Sequence, residues 1–243
     1  IKRAKTEDDI KGIYIEAGLF SPDSPASCQA LRNALVDFKK SGKWIVAYGD
    51  QYTQSSYYVA SVADEVLLNP YGTVDWHGLS AQPMFYKDLL AKVGVKMQIV
   101  KVGKFKSATE VFTEDQMSDA NRLQTSKYLT GIWNSIVGDV AASRKIPVAK
   151  LNEYADSLVT FDEPKSLVEK KLVDKLLYTD EVKKNIKKRL GLDDDEVVNQ
   201  MSVIDMVNLP AVKNNSDNNI AVYYAYGDVV DSEMGQTGNV ICG

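Results

Sequence analysis

The sequence predicts an α/β protein in which a mostly parallel sheet is flanked by helices and followed by a helical extension. In the first third of the chain, short runs of β-branched and aromatic residues alternate with segments of helical periodicity. Strands that alternate with crossover helices favour a parallel sheet with helices on its faces. Farther along, residues 118–144 repeat apolar side chains at three- and four-residue spacing, which is typical of a long helix.

Turn residues separate the predicted strands from one another. Gly49-Asp50 closes one run and Asn69-Pro70 stops the next, since proline cannot donate to a strand ladder. A later run ends at Gly103 and two lysines. The strands predicted in this way are, in chain order, residues 10–15, 44–48, 65–68 and 96–102.

The helices are predicted from caps and apolar spacing. Ser24 is placed as an N-cap with Pro25 at the first helical position, and Ser41-Gly42 ends that helix. Ser118 is the cap predicted for the long helix. The remaining helices are predicted at residues 57–63, 85–93, 148–155, 164–170 and 181–190.

Three regions are expected along the chain. Residues 1–115 form the α/β core and residues 116–212 the helical extension, whereas residues 213–243 hold a polar linker and the first strand of a second repeat. That strand, residues 220–226, resembles residues 10–15 in pattern. The chain also starts at Ile1 without methionine, so we expect it to be part of a longer protein.

Composition excludes several classes of function. The 243 residues carry 29 Lys+Arg and 33 Asp+Glu, a formal charge of −4, which disfavours nucleic-acid binding. No apolar run reaches the ~18–20 residues that span a bilayer. Two distant cysteines, Cys28 and Cys242, argue against a disulfide scaffold or a cysteine metal cluster, and their mutual pairing stays open. With His77 as the single histidine, most zinc chemistry and a Ser-His-Asp triad are disfavoured.

Lysines follow the last predicted strand, at the sheet edge where sites of α/β proteins gather. A lysine acts as a general base only when neutral, which requires burial or cationic neighbours to lower its pKa from about 10.4. Phe105 and residues 107–108 flank Lys106 and are candidates to desolvate it. The alternative is that Lys104 and Lys106 are two solvated lysines at a strand end.

Two other segments carry groups with catalytic chemistry. Ser55 and Ser56 follow a strand and its turn, where a helix start can present a nucleophile, but no Gly-x-Ser-x-Gly elbow is present. The alternative places both serines as ordinary helix-start residues. Asp75 lies two residues before His77 and could orient its imidazole, although a hydrogen-bonded structural histidine fits equally.

The order and spacing of several segments resemble the signal peptide peptidase A family, also called protease IV. The matching segments are residues 57–70 (YYVASVADEVLLNP), 85–90 (FYKDLL), 102–108 (VGKFKSA) and 114–118 (EDQMS). More narrowly, they resemble the amino-terminal half of the long, tandem-repeat bacterial form. The resemblance implies a ClpP/crotonase-like fold, anchorage in the bacterial inner membrane with the protease facing the periplasm, and degradation of cleaved signal peptides.

The resemblance also implies half of a Ser-Lys site. It places the general base at Lys106, with Lys104 as the less favoured candidate, and the family's serine position at Gln54. A glutamine cannot attack a carbonyl, so the nucleophile would lie in a second repeat beyond Gly243, and this chain alone is expected to be inactive. Ser55 and Ser56 fall where the family has glycines. No cofactor or metal is implied.

Partners and rival functions follow from the same resemblance. The implied partners are signal peptides or other short apolar peptides, the second repeat of the same protein, further copies in a tetramer, and a membrane anchor outside this chain. One rival is a crotonase-type acyl-CoA enzyme, and the other is a non-catalytic repeat that shapes a substrate groove or an assembly interface. The residues considered for these roles are Glu110, Glu114 and Asp115 as carboxylates, and Met84, Phe85 and Val111 as groove lining.

Overall fold

The computed structural model describes residues 1–18, 22 and 24–210, together with the backbone of 228–230 and 240–242. The chain divides into two compact units, Ile1–Gln200 and Met201–Gly243. The predicted boundaries at residues 115 and 212 stay predictions. The predicted linker at 213–219 and strand at 220–226 lie outside the described residues.

The first unit is built on a four-stranded sheet in which every pair of neighbours is parallel. Its strands follow chain order across the sheet. In register, Gly12 pairs with Trp44, and Leu67 pairs with Lys175. The strands are β1 (Gly12–Glu16), β2 (Trp44–Tyr52), β3 (Glu65–Val74) and β4 (Lys175–Leu176). This sheet and its flanking helices confirm the predicted α/β class.

The predicted caps operate as expected in this unit. Ser24 accepts a hydrogen bond from the Ser27 amide, with Pro25 at the first helical position, and Ser118 accepts one from the Asn121 amide. The helices are α1 (Lys2–Thr6), α2 (Pro25–Lys39), α3 (Gln54–Ala60), α4 (Lys87–Lys92), α5 (Glu110–Thr113), α6 (Asp119–Arg144), α7 (Val148–Asp156), a 3₁₀ turn (Val159–Phe161), α8 (Pro164–Glu169) and α9 (Thr179–Leu190).

The second unit has its own short elements. Helix α10 (Val203–Asn208) begins with a capping box, in which the Ser202 side chain accepts from the Asp205 amide and the Asp205 carboxylate accepts from the Ser202 amide. Two strands, β5 (Asp228–Val230) and β6 (Val240–Cys242), pair in parallel, with Asp228 opposite Val240.

Buried arginines tie the helices of the first unit to one another and to the sheet. Arg32 on α2 donates to the Tyr58 carbonyl and Ser61 Oγ near α3, and to the Asp139 carbonyl on α6. Arg144, at the end of α6, pairs with Asp174 through two contacts of 2.9 and 2.8 Å. Asp174 Oδ2 also accepts from the Val66 amide of β3, which fixes α6 against the sheet.

The predicted stop at Asn69-Pro70 is wrong, because β3 runs on to Val74. The pairing with β2 shifts register here, so the proline lies at an irregularity where its missing N–H breaks no ladder bond. Asn69 bridges the shift: its amide donates to Asp50 Oδ1 at 2.8 Å, and its Oδ1 accepts from the Tyr71 amide. Gly72 passes so close that an added Cβ would lie 2.5 Å from the Asp50 carbonyl oxygen.

The strand predicted at residues 96–102 is also wrong, since this segment has no regular structure. Its apolar side chains are in solvent: Val100 is 97% exposed and Val102 is 84% exposed. A β-type run forms a strand only when a neighbouring strand and a packed face accept it, and the described chain offers neither here. Conversely, the two-residue strand β4 was not predicted, and the helix predicted at 57–63 begins earlier, at Gln54.

Candidate active site

Gln54, Ser55 and Ser56, the residues expected at and just after the family's serine position, lie where β2 turns into α3. Thr53 caps the helix, because its Oγ1 accepts from the Ser56 amide at 3.1 Å. Ser56 is buried and its hydroxyl donates back to the Thr53 carbonyl at 3.1 Å. Ser55 and Ser56 both lie within the first turn of α3. The helix-start interpretation of the two serines is therefore confirmed.

Gln54, at the first position of α3, is fully engaged with a neighbouring loop. Its Nε2 donates to the Gly78 carbonyl at 3.0 Å. Its Oε1 accepts from the backbone N–H groups of His77 and Gly78, each at 3.0 Å. Gly78 has φ +87°, a conformation that favours glycine. The side-chain amide of Gln54 therefore holds the backbone of this loop through three hydrogen bonds.

The predicted Asp75–His77 contact is present, with His77 Nε2 3.2 Å from Asp75 Oδ2. The other carboxylate oxygen of Asp75 accepts from Thr160 Oγ1 at 3.3 Å. The His77 side chain is half exposed. Among the described residues no serine hydroxyl bonds to its ring, so this pair orients an imidazole without forming a triad.

A cavity of about 460 Å³ opens beside Gln54 and Ser55. Its wall is mostly apolar, with Tyr58, Leu79, Ile132 and Ile136 among the lining residues. The Cys28 thiol also lines it, and burial raises the pKa of this thiol. The start of α3 thus lies beside a concave, mostly apolar surface.

Residues 77–109, which we call the lysine arm, differ from the rest of the first unit in burial. Trp76, directly before the arm, is fully buried, and Glu110, directly after it, is 2% exposed. Between them not one residue is buried. Helix α4 is the one helix within the arm. The arm is thus a long exposed segment that lies between two buried residues, Trp76 and Glu110.

Lys106 lies on the arm in a tight turn, where its amide donates to the Gly103 carbonyl at 3.4 Å. Gly103 has φ +101°, which an L side chain would strain. The Lys106 side chain is exposed, and within the described chain its amine makes no hydrogen bond or ion pair. Phe105 is half exposed beside the ammonium of Lys104, at 5.9 Å from its ring centroid. The expected desolvation of Lys106 by its sequence neighbours is therefore wrong for this chain by itself.

Glu110 ends the arm in a polar pocket that sequence reasoning missed. Its carboxylate accepts from Ser118 Oγ at 2.6 Å, from the Ser118 amide at 3.2 Å and from Asn121 Nδ2 at 3.0 Å. The Ser118 hydrogen bond, with help from Asn121 and the charge of Lys101, holds the pKa of Glu110 below its usual value. A glutamate eight residues before a helix cap was the available signal. The position of the Glu110 carboxylate depends on how the chain between Glu110 and Ser118 folds back.

No group of three or more His, Cys, Asp and Glu side chains within the described residues could hold a metal ion. Nor does any helix in this part of the chain have the length and apolar character needed to cross a bilayer.

Comparison with known proteins places this chain among peptidases. The model of peptidase family S49 matches residues 37–193. The chain is 33% identical to Protease 4 of Salmonella typhi over 96% of its own length and 38% of that protein. It is 36% identical to Protease 4 of Haemophilus influenzae over 60% of its length and 24% of that protein. It is also 28% identical to the chloroplastic serine protease SPPA of Arabidopsis thaliana, over 79% of the chain and 29% of that protein.

The chain thus spans less than two fifths of the length of these relatives. The family match includes the β2–α3 turn, the lysine arm and most of the helices that follow. The all-parallel sheet with flanking helices is consistent with the ClpP/crotonase-like fold expected of that family. On this evidence the chain is a member of peptidase family S49.

Proposed function

We propose that this chain supplies the lysine general base of a Ser-Lys peptidase whose serine lies outside it. One observation carries the proposal: Gln54, where the resemblance puts the family's serine, is bound to backbone, whereas Lys106 is exposed and has no partner in the described chain. The described residues thus offer a free amine and, at the positions considered, no activated hydroxyl. The serine-protease name of one relative supports the same chemistry.

The proposed mechanism uses Lys106 as the proton carrier. A neutral Lys106 amine takes the proton of the serine hydroxyl while the serine oxygen attacks the peptide carbonyl. The same proton then passes to the leaving amine as the peptide bond breaks. Water hydrolyses the resulting acyl-enzyme and frees the serine. Histidine is not needed in this mechanism.

The exposure of the lysine arm supports completion of the site by another segment. Single exposed apolar residues are ordinary, but the arm carries a series of them along one excursion. A second repeat of the same protein, or another copy in a tetramer, would bury these residues and remove water from Lys106. That burial would lower the pKa of a lysine, as a general base requires. The exposed residues are Leu79, Met84, Leu89, Val93, Val95, Met97, Val100, Val102 and Phe105.

We propose signal peptides and other short apolar peptides as substrates, at the periplasmic face of the bacterial inner membrane, with the anchor outside this chain. The support is the resemblance of the segments around Lys106 to the signal peptide peptidase A family. An apolar peptide would also suit a groove next to exposed apolar side chains such as Met84 and Phe105. Met84 is 67% exposed, whereas Phe85 and Val111 are partly buried.

The direct test is Lys106→Ala in the full-length gene product. Hydrolysis of a fluorogenic apolar peptide should fall by about 10³-fold or more, because the general base is lost. Lys104→Ala tests the other candidate and should retain most activity. Lys92→Ala, an exposed lysine in α4, is the matched control. Full activity in Lys106→Ala would overturn the assignment.

A second test uses the 243-residue chain alone. It should not hydrolyse the peptide, since the proposed serine lies outside it and the buried Ser56 hydroxyl donates to the Thr53 carbonyl. Turnover that disappears in Gln54→Ala or Ser56→Ala would contradict the proposal. A non-catalytic role as a groove or assembly repeat would instead leave activity unchanged in Lys106→Ala. The acyl-CoA alternative gains no support, because the carboxylate of Glu110 is engaged with Ser118 and Asn121.

A further inference from the structure

We propose that Gln54 and Glu110 are positioning residues that clamp the two ends of the lysine arm and thereby set where Lys106 meets the serine. This inference rests on the proposed function of Lys106. Neither side chain touches the reacting atoms in the mechanism above. Their role is to hold the arm that presents the amine.

At the first end, Gln54 holds the chain where it leaves the core. Trp76 is anchored by its amide, which donates to Thr160 Oγ1 at 2.9 Å, and by its indole N–H, which donates to the Leu151 carbonyl at 2.9 Å. The next two residues are held by the three hydrogen bonds to the Gln54 amide. A serine could not make these three contacts, because its single hydroxyl is shorter and has one donor. The glutamine at this position thus has a structural use that a nucleophile would not serve.

At the second end, Glu110 holds the chain where it returns. Its carboxylate binds the cap residue of α6, Ser118, through both Oγ and N–H, and it also binds Asn121 in the first turn. An anion at the start of a 26-residue helix is further stabilised by the helix dipole. Hydrogen bonds to a charged acceptor are stronger than neutral ones. This contact therefore fixes the end of the arm to the longest helix of the chain.

Further contacts of the arm, at Tyr86 and Lys87, lead back to the segment that Glu110 holds. The Tyr86 amide donates to the Val111 carbonyl at 2.7 Å, and its ring stacks on Phe112 at 6.3 Å. Lys87 pairs with Asp115 at 2.8 Å. Because residues 111–115 lie between Glu110 and Ser118, releasing the carboxylate would loosen these contacts as well. The arm should then sample many positions of Lys106.

Catalysis is sensitive to such loosening, since a misplacement of about 1 Å can cost about 10²-fold in rate. The test uses the full-length gene product with Glu110→Gln and Gln54→Ala. Matched controls are Asp88→Asn, an exposed carboxylate on the arm, and Gln51→Ala, an exposed glutamine at the end of β2. The primary readout is the rate at which a fluorophosphonate labels the serine, in which the serine oxygen displaces fluoride at phosphorus and the base takes the proton.

We expect the labelling rate and kcat to fall about 10- to 100-fold in both variants. KM and the final number of labelled serines should stay unchanged, and both controls should match the unmodified protein. Limited proteolysis should also cut within residues 77–109 faster in the two variants. A purely stabilising role would lower the number of labelled serines and leave the rate per labelled site unchanged, which would overturn the proposal. Unchanged rates in both variants would overturn it too.

Lys106→Ala separates this inference from the proposed function. If Lys106→Ala is labelled as fast as the unmodified protein, the proposed function fails and positioning of a base fails with it. If Lys106→Ala is inactive while Glu110→Gln and Gln54→Ala label normally, the proposed function stands and the clamp is wrong. If Glu110→Gln yields no folded protein, Gln54→Ala alone decides, because it alters an amide on the surface of a short helix.

Discussion

The sheet and the lysine arm belong to the same chain but differ in how much apolar surface they bury. The sheet packs its apolar side chains away from water: Ile45 on β2 and Val66 on β3 are fully buried, as is Trp76 just after β3. The arm, residues 77–109, buries none of its side chains although it is rich in apolar residues. A segment that gains little from burial cannot offset the conformational entropy of being ordered. The buried core of this unit and its proposed chemical part are therefore separate segments of the chain.

Hydrogen exchange should show the largest contrast between the two regions. In the 243-residue chain, amides of β2 should exchange at least about 10³-fold more slowly than those of residues 94–105, because local opening of the arm costs little free energy. In the full-length protein the arm amides should become protected if a second repeat or another copy covers them. Equal protection of the arm and β2 in the isolated chain would show that the arm is as stably ordered as the sheet.

Truncating one side chain in each region should lower the free energy of unfolding by very different amounts. Trp76→Ala removes a ring that packs against Tyr57 at 5.8 Å and Trp133 at 5.0 Å, so the free energy of unfolding should fall by about 3–5 kcal/mol. Val100→Ala on the arm should change it by less than about 0.5 kcal/mol. Urea unfolding followed by far-UV circular dichroism measures both. A large loss in Val100→Ala would show that the arm is packed after all.

Breaking the ion pair between α6 and the sheet should have a slightly smaller effect. Asp174→Asn leaves the buried guanidinium of Arg144 without its counter-charge, and the free energy of unfolding should fall by about 3 kcal/mol. Asp37→Asn is the matched control, since Asp37 pairs with Lys5 at the surface and should matter far less. Equal losses in the two variants would mean that the pair does not act as a tie between layers.

The pH dependence of Glu110 tests the junction between the two regions. Its pKa is lowered in the folded chain, so its contribution to stability is present above the ordinary value of 4.5 and is lost as the pH falls through the lowered value. At pH 7, Glu110→Gln should cost about 2 kcal/mol, because hydrogen bonds to a charged group are lost. The gap from the unmodified protein should close at more acidic pH. A gap that is constant with pH would show that the charge is not involved.

Much of the fold could be predicted because its signals are local. Ser24 with Pro25 and Ser118 are set by neighbouring residues along the chain, and each lies where the pattern indicated. The wrong predictions share one cause. The sequence predicts that Pro70 stops a strand, but β3 continues past it through a register shift with β2. The sequence also predicts a strand at residues 96–102, but this segment has no partner strand among the described residues. Both outcomes depend on what lies across the sheet.

The candidate site divides in the same way. The sequence by itself determined the α/β class, the helix caps, the lysine candidates and the absence of a hydroxyl at position 54. Only the tertiary structure decided that Gln54 binds the backbone of His77 and Gly78, that Glu110 binds the start of α6, and that Lys106 is left in solvent. Caps and periodicity act over a few residues, so a sequence displays them directly. The contacts of Gln54 and Glu110 and the exposure of Lys106 depend on residues that are far apart in sequence. These contacts form only when the chain is folded.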